Sequence, residues 1–316
     1  MASKSSRILV SGSLAIDLIF DIHGKIQDEV VMPLKSQQNM MFVAKRKIER
    51  FGGTGGNIAY GLGLLGAKPI LVSAAGKDFE SGFRRHLIAH GVIPRVFIDK
   101  NAFTANGYIM SDEKEQQMGV WQPNAYDCID TVSLSELISK KELKSVSHAI
   151  FSAGTGKSML AQIQELREIR GKDVTIIFDP GQVLSVFYDK ALLEKTLKLS
   201  DIFIGNEVEF KQAESILRYS RQVIFKLGVS ILIETKGAKG STIYHQDRSL
   251  EKISAIRPKK IVETTGAGDA YRSGLLFGLS RGLSLKKSCI LGAKMGAKSI
   301  EYSGAQEYLL PQNIFF

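Results

Sequence analysis

Residues 264–274 read Thr264-Thr265-Gly266-Ala267-Gly268-Asp269-Ala270-Tyr271-Arg272-Ser273-Gly274, and the apolar spacing that follows, to about Arg281, is that of a helix. Gly266 and Gly268 lack a Cβ, so the backbone can bend and turn successive N–H groups toward an anion at the helix N-terminus, where the macrodipole favours negative charge. A carboxylate is out of place in such a pocket unless it takes part in chemistry. Asp269 is suited to removing a proton from a hydroxyl as that hydroxyl attacks a phosphoryl group held by the amides of Gly266, Ala267 and Gly268. The plainer alternative is an Asp in the first turn of a helix after a Gly-rich connection. Arg272, one turn further on, offers either a cation to phosphates or a structural ion pair.

The elements that must position these groups follow from hydrophobic patterning. Arg7–Ser11 (RILVS) closes at Gly12 and suits a central parallel strand. Asp17 comes just beyond it, and ligands of open α/β sheets bind at the carboxyl ends of strands. It is therefore a candidate to accept hydrogen bonds from substrate hydroxyls, with an exposed loop Asp as the alternative. From residue 148 onward, HAIFS, VTIIF, DIFI and VSILIE alternate with amphipathic segments, one carrying Met159, Ile163, Leu166 and Ile169. Such alternation predicts a largely parallel sheet covered by helices on both faces. Residues 33–50 and 104–121 break the pattern. The second reads as a β-hairpin around the polar cluster Asp112-Glu113-Lys114-Glu115, and the two patches most economically form one small sheet.

Further strand ends carry Asn206-Glu207-Val208-Glu209, Thr235-Lys236-Gly237-Ala238-Lys239-Gly240 and Asp179-Pro180-Gly181-Gln182. Each also has a structural alternative: a helix start, a hairpin turn leading into residues 241–244, and a simple turn. Two glycine patterns are misleading. Gly61-Leu62-Gly63-Leu64-Leu65-Gly66 lies within or at the end of a helix already begun near Asn57, whereas a dinucleotide fingerprint opens its helix. Gly154-Thr155-Gly156-Lys157-Ser158 lacks the upstream glycine of a P-loop, where Phe151 stands.

Composition narrows the class. A chain of 316 residues with 44% hydrophobic and 23% charged content can bury the core of one large α/β unit with a small appendage. The net charge of +10 is spread along the chain without interleaved stacking aromatics, so nucleic acid is not an expected partner. Cys128 and Cys289 are too few for a disulfide framework and fit a reduced cytosol, so a cytoplasmic location is expected. Asp17 interrupts the N-terminal apolar run, which reads as a buried strand rather than a leader, and no segment has the ~20 apolar residues of a membrane span. His86 and His90 read as one polar helix face.

The stretch T-T-G-A-G-D-A resembles the C-terminal signature of the ribokinase-like (PfkB) family of carbohydrate and nucleoside kinases. Gly52-Gly53-Thr54-Gly55-Gly56-Asn57 is similar to that family's N-terminal G-G-x-x-x-N signature, in the right order and about two hundred residues earlier. The wording of residues 51–60, 178–182 and 268–274 looks most like the bacterial and archaeal adenosine kinase-like branch. The resemblance covers about residues 7–304 and implies a three-layer α/β fold with a mostly parallel sheet. Residues 1–316 would then form one kinase domain, whose small β-sheet lid is built from about 17–50 and 104–122.

It also implies roles. Asp269 would be the general base, with Gly266, Ala267 and Gly268 as the anion hole. Asp17, Gly53 and Asn57 would hold sugar hydroxyls, and Phe42, Phe103 or Trp121 could stack on a purine or form the lid's own core. Asn206, Thr235, Gly237, Gly240, Thr265 and Arg272 would contact ATP, while Asn206 and Glu209 organise Mg2+ through water. The partners implied are ATP and a small nucleoside or sugar, in a monomer or homodimer. Adenosine leads, a ribose- or fructose-type sugar is the alternative acceptor, and a non-catalytic sensor is the rival from another class. Glu263 stands where the family usually has Asp before T-T-G-A-G-D, which weakens the case for a monovalent-cation site.

Overall fold

A computed structural model describes residues 7–29, 41–114, 116–218, 220–311 and 314. Numbered along the chain, its strands begin with β1 (Arg7–Gly12), β2 (Ala15–Ile22), β3 (Ala44–Gly52), β4 (Ile70–Gly76), β5 (Ile93–Asp99), β6 (Ala105–Ser111) and β7 (Gln117–Gln122). They continue with β8 (Val146–Ser152), β9 (Thr175–Asp179), β10 (Ile202–Asn206), β11 (Ile231–Thr235), β12 (Ser241–His245) and β13 (Leu250–Ile253).

The large sheet runs β13-β12-β11-β10-β9-β8-β1-β4-β5, and from β11 to β5 every pairing is parallel. Alternate residues of β1 explain the layers. Ile8 and Val10 join a core formed with the Thr54–Leu64, Ala267–Ser280 and Leu285–Ser299 helices. Leu9 joins the opposite core with the Gly156–Arg170, Lys190–Lys198 and Glu207–Leu217 helices. A strand buried on both faces has to be apolar throughout, which is why RILVS is legible as one.

The two patches that broke the alternation do form one sheet, ordered β3-β2-β6-β7. β6 and β7 make the expected antiparallel hairpin, and β2 pairs with β6 in parallel. Asp112 holds the hairpin turn by accepting from the backbone N–H groups of Lys114 and Gln116. Of the extension anticipated from residue 33, β3 covers Ala44–Gly52, and residues 30–40 lie outside the described ones.

Candidate active site

At one edge of the large sheet, the ends of β11, β10, β9, β8 and β1 stand side by side and carry Thr235, Asn206, Asp179, Ser152 and Gly12. The Ala267–Ser280 helix packs against the Thr54–Leu64 helix and touches β8 and β1. Gly266 precedes it at φ 79°, and a Cβ there would come within 2.4 Å of the Ala305 Cβ. Glycine is thus required by both conformation and space.

Asp269 lies in the first turn of this helix, partly open to solvent. Its Oδ2 accepts a hydrogen bond from Asn57 Nδ2 at 2.8 Å. Burial pushes its carboxyl up to about 7, with Asp179 and Glu209 adding to the effect while Arg272 and the Asn57 bond oppose it. A carboxyl poised near neutrality at a helix start is suited to general-base work, and of the N–H groups there that of Ala267 donates to the Thr264 carbonyl at 3.3 Å.

Of the two roles open to Arg272, the structure displays the ion pair. Its guanidinium is buried, donates through Nε and Nη2 to the two oxygens of Asp179, and donates through Nη1 to the Gly268 carbonyl at 3.0 Å. Burial alone would lower the Arg272 pKa, but Asp179 and Glu209 outweigh it and raise it. Asp179 is fully buried and also accepts from Ser152 Oγ. Residues 179–182 are therefore a short turn whose first residue anchors the helix carrying Asp269.

Asn206 and Glu209 realise the helix-start alternative. The Asn206 side chain caps the Glu207–Leu217 helix, and the Glu209 carboxylate accepts from Asn206 N at 2.7 Å and Nδ2 at 3.1 Å. Burial, then the Asp179 charge, raises the Glu209 pKa against Arg272. Thr235 donates to the Gly205 carbonyl at 3.3 Å, joining the ends of β11 and β10. Gly237 lies in an exposed turn with open space above its Cα. Gly240, at φ 84°, would place a Cβ 2.0 Å from the Ile253 carbonyl oxygen.

On the small sheet the register sets Arg50, Asp17, Gly107 and Trp121 in one row, hence on one face. The Asp17 carboxylate lies across two glycines, since a Cβ on Gly52 or Gly107 would fall 2.1 or 2.5 Å from its oxygens. Burial pushes Asp17 up to about 6, with Glu263 adding and Arg50 opposing. Gly53, at φ 84°, turns the chain from β3 into the helix bearing Asn57. A groove of about 440 Å³ separates this face from residues 261–265 and is lined by Ile19, Arg50, Glu263 and Thr265. Phe42 is elsewhere: it lines a hollow of about 300 Å³ with Phe20, Tyr108, Met110 and Val120 on the reverse face. Trp121 meets Tyr126 edge-on at 6.0 Å, and Phe103 lies exposed beneath Lys77.

Several site neighbours had no signal in the sequence. Arg50 ties the small sheet to Glu263 Oε2 at 2.7 Å and Ser303 Oγ at 2.6 Å. Gln306 reaches Asn57 from 249 residues away. His86 corrects the polar-face reading: it stacks on Tyr60 at 5.5 Å and packs against Phe51 and Phe83. Burial, then the nearby His90, lowers its pKa to about 4. The misleading glycines are structural, Gly61 and Gly63 lying inside a helix that Gly66 follows, and Thr155 capping the Gly156–Arg170 helix. Among the described residues, no group of three or more His, Cys, Asp or Glu is placed to hold a metal ion, and no helix is long and apolar enough to cross a membrane.

Known proteins resemble this chain along nearly its whole length. A nucleoside kinase of Methanocaldococcus jannaschii is 28% identical over 313 residues, 98% of this chain and 95% of that one. A crystal structure of that archaeal nucleoside kinase superposes with a TM-score of 0.85 at 25% identity, covering 98% and 96% of the two chains. A Burkholderia thailandensis nucleoside kinase in complex with inosine gives a TM-score of 0.82 at 29% identity, with 98% and 95% covered. A sequence model described as pfkB family carbohydrate kinase matches residues 6–313, and the chain belongs to that family, an ATP-dependent kinase of ribokinase-like fold.

Proposed function

We propose that the protein transfers the γ-phosphoryl group of ATP to the 5'-hydroxyl of a nucleoside, adenosine being the first candidate acceptor. Asp17, Gly53 and Asn57 hold the ribose hydroxyls, and Trp121, in the same row as Asp17, takes the base. The primary hydroxyl then lies near Asp269, which removes its proton as the oxygen attacks in line. The N–H groups of Gly266, Ala267 and Gly268 stabilise charge on the equatorial oxygens. Thr235, Gly237, Gly240 and Thr265 face the nucleotide, and the small sheet closes as a lid that keeps water from the γ-phosphate.

Mg2+ enters as the ATP complex. Asn206 and Glu209 suit an indirect role, through water, because both Glu209 oxygens already accept hydrogen bonds from Asn206. The observation that carries the reading is the juxtaposition of Asp269, its pKa raised to about 7, with Asn57 at the start of a glycine-led helix. The inosine-bound relative favours a second reading, in which the acceptor site takes purine nucleosides broadly.

ADP release from Mg-ATP with adenosine, inosine, cytidine, ribose, fructose and fructose 6-phosphate separates these readings. Release with adenosine above the rest supports the first, and equal release with inosine supports the second. Release with sugars alone overturns the nucleoside site. Asp269→Asn should lower turnover by about 10³-fold while nucleoside binding persists. Near wild-type turnover in that variant would remove Asp269 as the base.

A further inference from the structure

We propose that Gln306 is a positioning residue for Asp269, because it fixes the Asn57 amide with its nitrogen, rather than its oxygen, toward the carboxylate. The inference rests on Asp269 acting as the base. The orientation follows from groups that can act in only one way. The Gly52 carbonyl only accepts, so the Gln306 atom 3.3 Å from it is the amide nitrogen. That nitrogen also donates to Asn57 Oδ1 at 2.9 Å. The Asn57 nitrogen is left facing Asp269 Oδ2, where it donates at 2.8 Å. Were Gln306 unable to donate, Asn57 Oδ1 would lose its donor, the amide would no longer be held in line with the carboxylate, and its bond to Asp269 would loosen.

The chain has a further member. Gln306 is buried, and its Oε1 and His86 Nε2 are both enclosed without a hydrogen bond of good geometry. The two side chains are nevertheless close enough for Gln306 to favour the protonated ring. A neutral ring carrying its proton on Nε2 would give Gln306 Oε1 the donor it lacks and so favour the amide orientation that Gly52 requires. A Cβ on Gly56 would lie 2.9 Å from Gln306 Nε2, so the glycine is what lets the amide come this close to the Asn57 helix.

Other charges around Asp269 must be kept apart from this effect. Arg272 faces it from its own helix, Asp179 from β9 and Glu209 from the Glu207–Leu217 helix, while Tyr308 feels its charge from the C-terminal segment. His86 is faced by His90 and Tyr60, and Tyr60 in turn by Glu307.

The test follows the Asp269 carboxyl directly by carbon-13 NMR of Asp-labelled full-length protein, its resonance identified by loss in Asp269→Asn. The same proteins give pH profiles of kcat/KM. In Gln306→Met the Asp269 midpoint should rise by about one pH unit, since a hydrogen bond to a charged group is lost. The acid limb should move with it, so that the loss of activity is about tenfold at pH 6 and shrinks toward pH 9. His86→Phe extends an existing aromatic stack and should shift both readouts in the same direction by less. An unmoved midpoint in both variants, or a loss equal at every pH as a packing role gives, overturns the proposal. Should Gln306→Met not fold, the midpoint in His86→Phe decides. Activity retained by Asp269→Asn would refute the base assignment alone, because the NMR midpoints still report whether Gln306 acts on Asp269.

Discussion

Asp269 sits among neighbours that pull its carboxyl in opposite directions, and the Arg272–Asp179 pair supplies one pull of each sign. Arg272 is almost wholly enclosed, its cation held by Asp179, the Gly268 carbonyl and, at 3.8 Å, Glu209. Removing one partner of a buried pair leaves the other charge uncompensated, at a cost of about 3–5 kcal/mol. Asp179→Asn should therefore lower the free energy of unfolding by about 3 kcal/mol in urea titrations. It should also move the acid limb of kcat/KM downward, because Asp179 raises the Asp269 pKa and its charge is gone. An unchanged midpoint and limb would mean that the pair does not bear on the helix start. The glycine-led helix start proposed as the anion hole was legible because its residues are adjacent in the chain and their spacing is their geometry. The partner of Arg272 was not, since Asp179 is 93 residues away and alone reads as a turn residue, so the ion pair open to Arg272 had no named acceptor.

The small sheet and the loop before the anion hole are joined by one side chain. Arg50 leaves β3 beside Asp17, donates to Glu263 and Ser303, and lies 3.6 Å from Glu307. Breaking this latch should free the lid without touching Asp269. Arg50→Met should raise KM for the acceptor more than it lowers kcat and increase ATP hydrolysis without acceptor, since an imperfectly closed site admits water. Coupled measurement of ADP and phosphorylated product tests it, and a fall in kcat alone would rule the latch out. At this scale the sequence spoke clearly where burial was two-sided, as in β1, β8 and β9. It was silent on β5, where Pro94 and Arg95 interrupt the apolar run, and on β13, an edge strand reading Leu250-Glu251-Lys252-Ile253. The stretch bearing His86 and His90 is parted at Gly82 into a short turn, Phe79–Ser81, and the Phe83–Ala89 helix. Both extended patches were legible because their alternation differs from that of the layers around them, whereas the turning of Phe42 away from Asp17 depends on pairings that no local pattern encodes.

For the whole molecule, the site works against stability in a defined pH window. Asp17 and Asp269 have pKa values raised to about 6 and about 7, chiefly by burial, and Glu209 is raised for the same reason. At these three groups the folded state binds more protons than the unfolded chain above about pH 4, and their contribution to stability falls as pH climbs through these values. His86, lowered to about 4 from 6.5, and His148, also lowered by burial, act oppositely: they favour folding increasingly up to about pH 6.5 and add nothing further above it. The two trends offset each other in mildly acidic solution, and the Asp269 penalty emerges near neutrality. Its displacement from 3.8 to about 7 corresponds to at most about 4 kcal/mol, less whatever water reaching this partly open carboxyl screens. Asp269→Asn keeps an acceptor for Asn57 and removes the charge. Thermal melts between pH 4 and 8 should show the variant matching the wild type at the acid end and melting several degrees higher at the alkaline end. A difference constant across that range would mean that Asp269 titrates no differently folded than unfolded, and that the kinase does not hold its base at a cost to the fold.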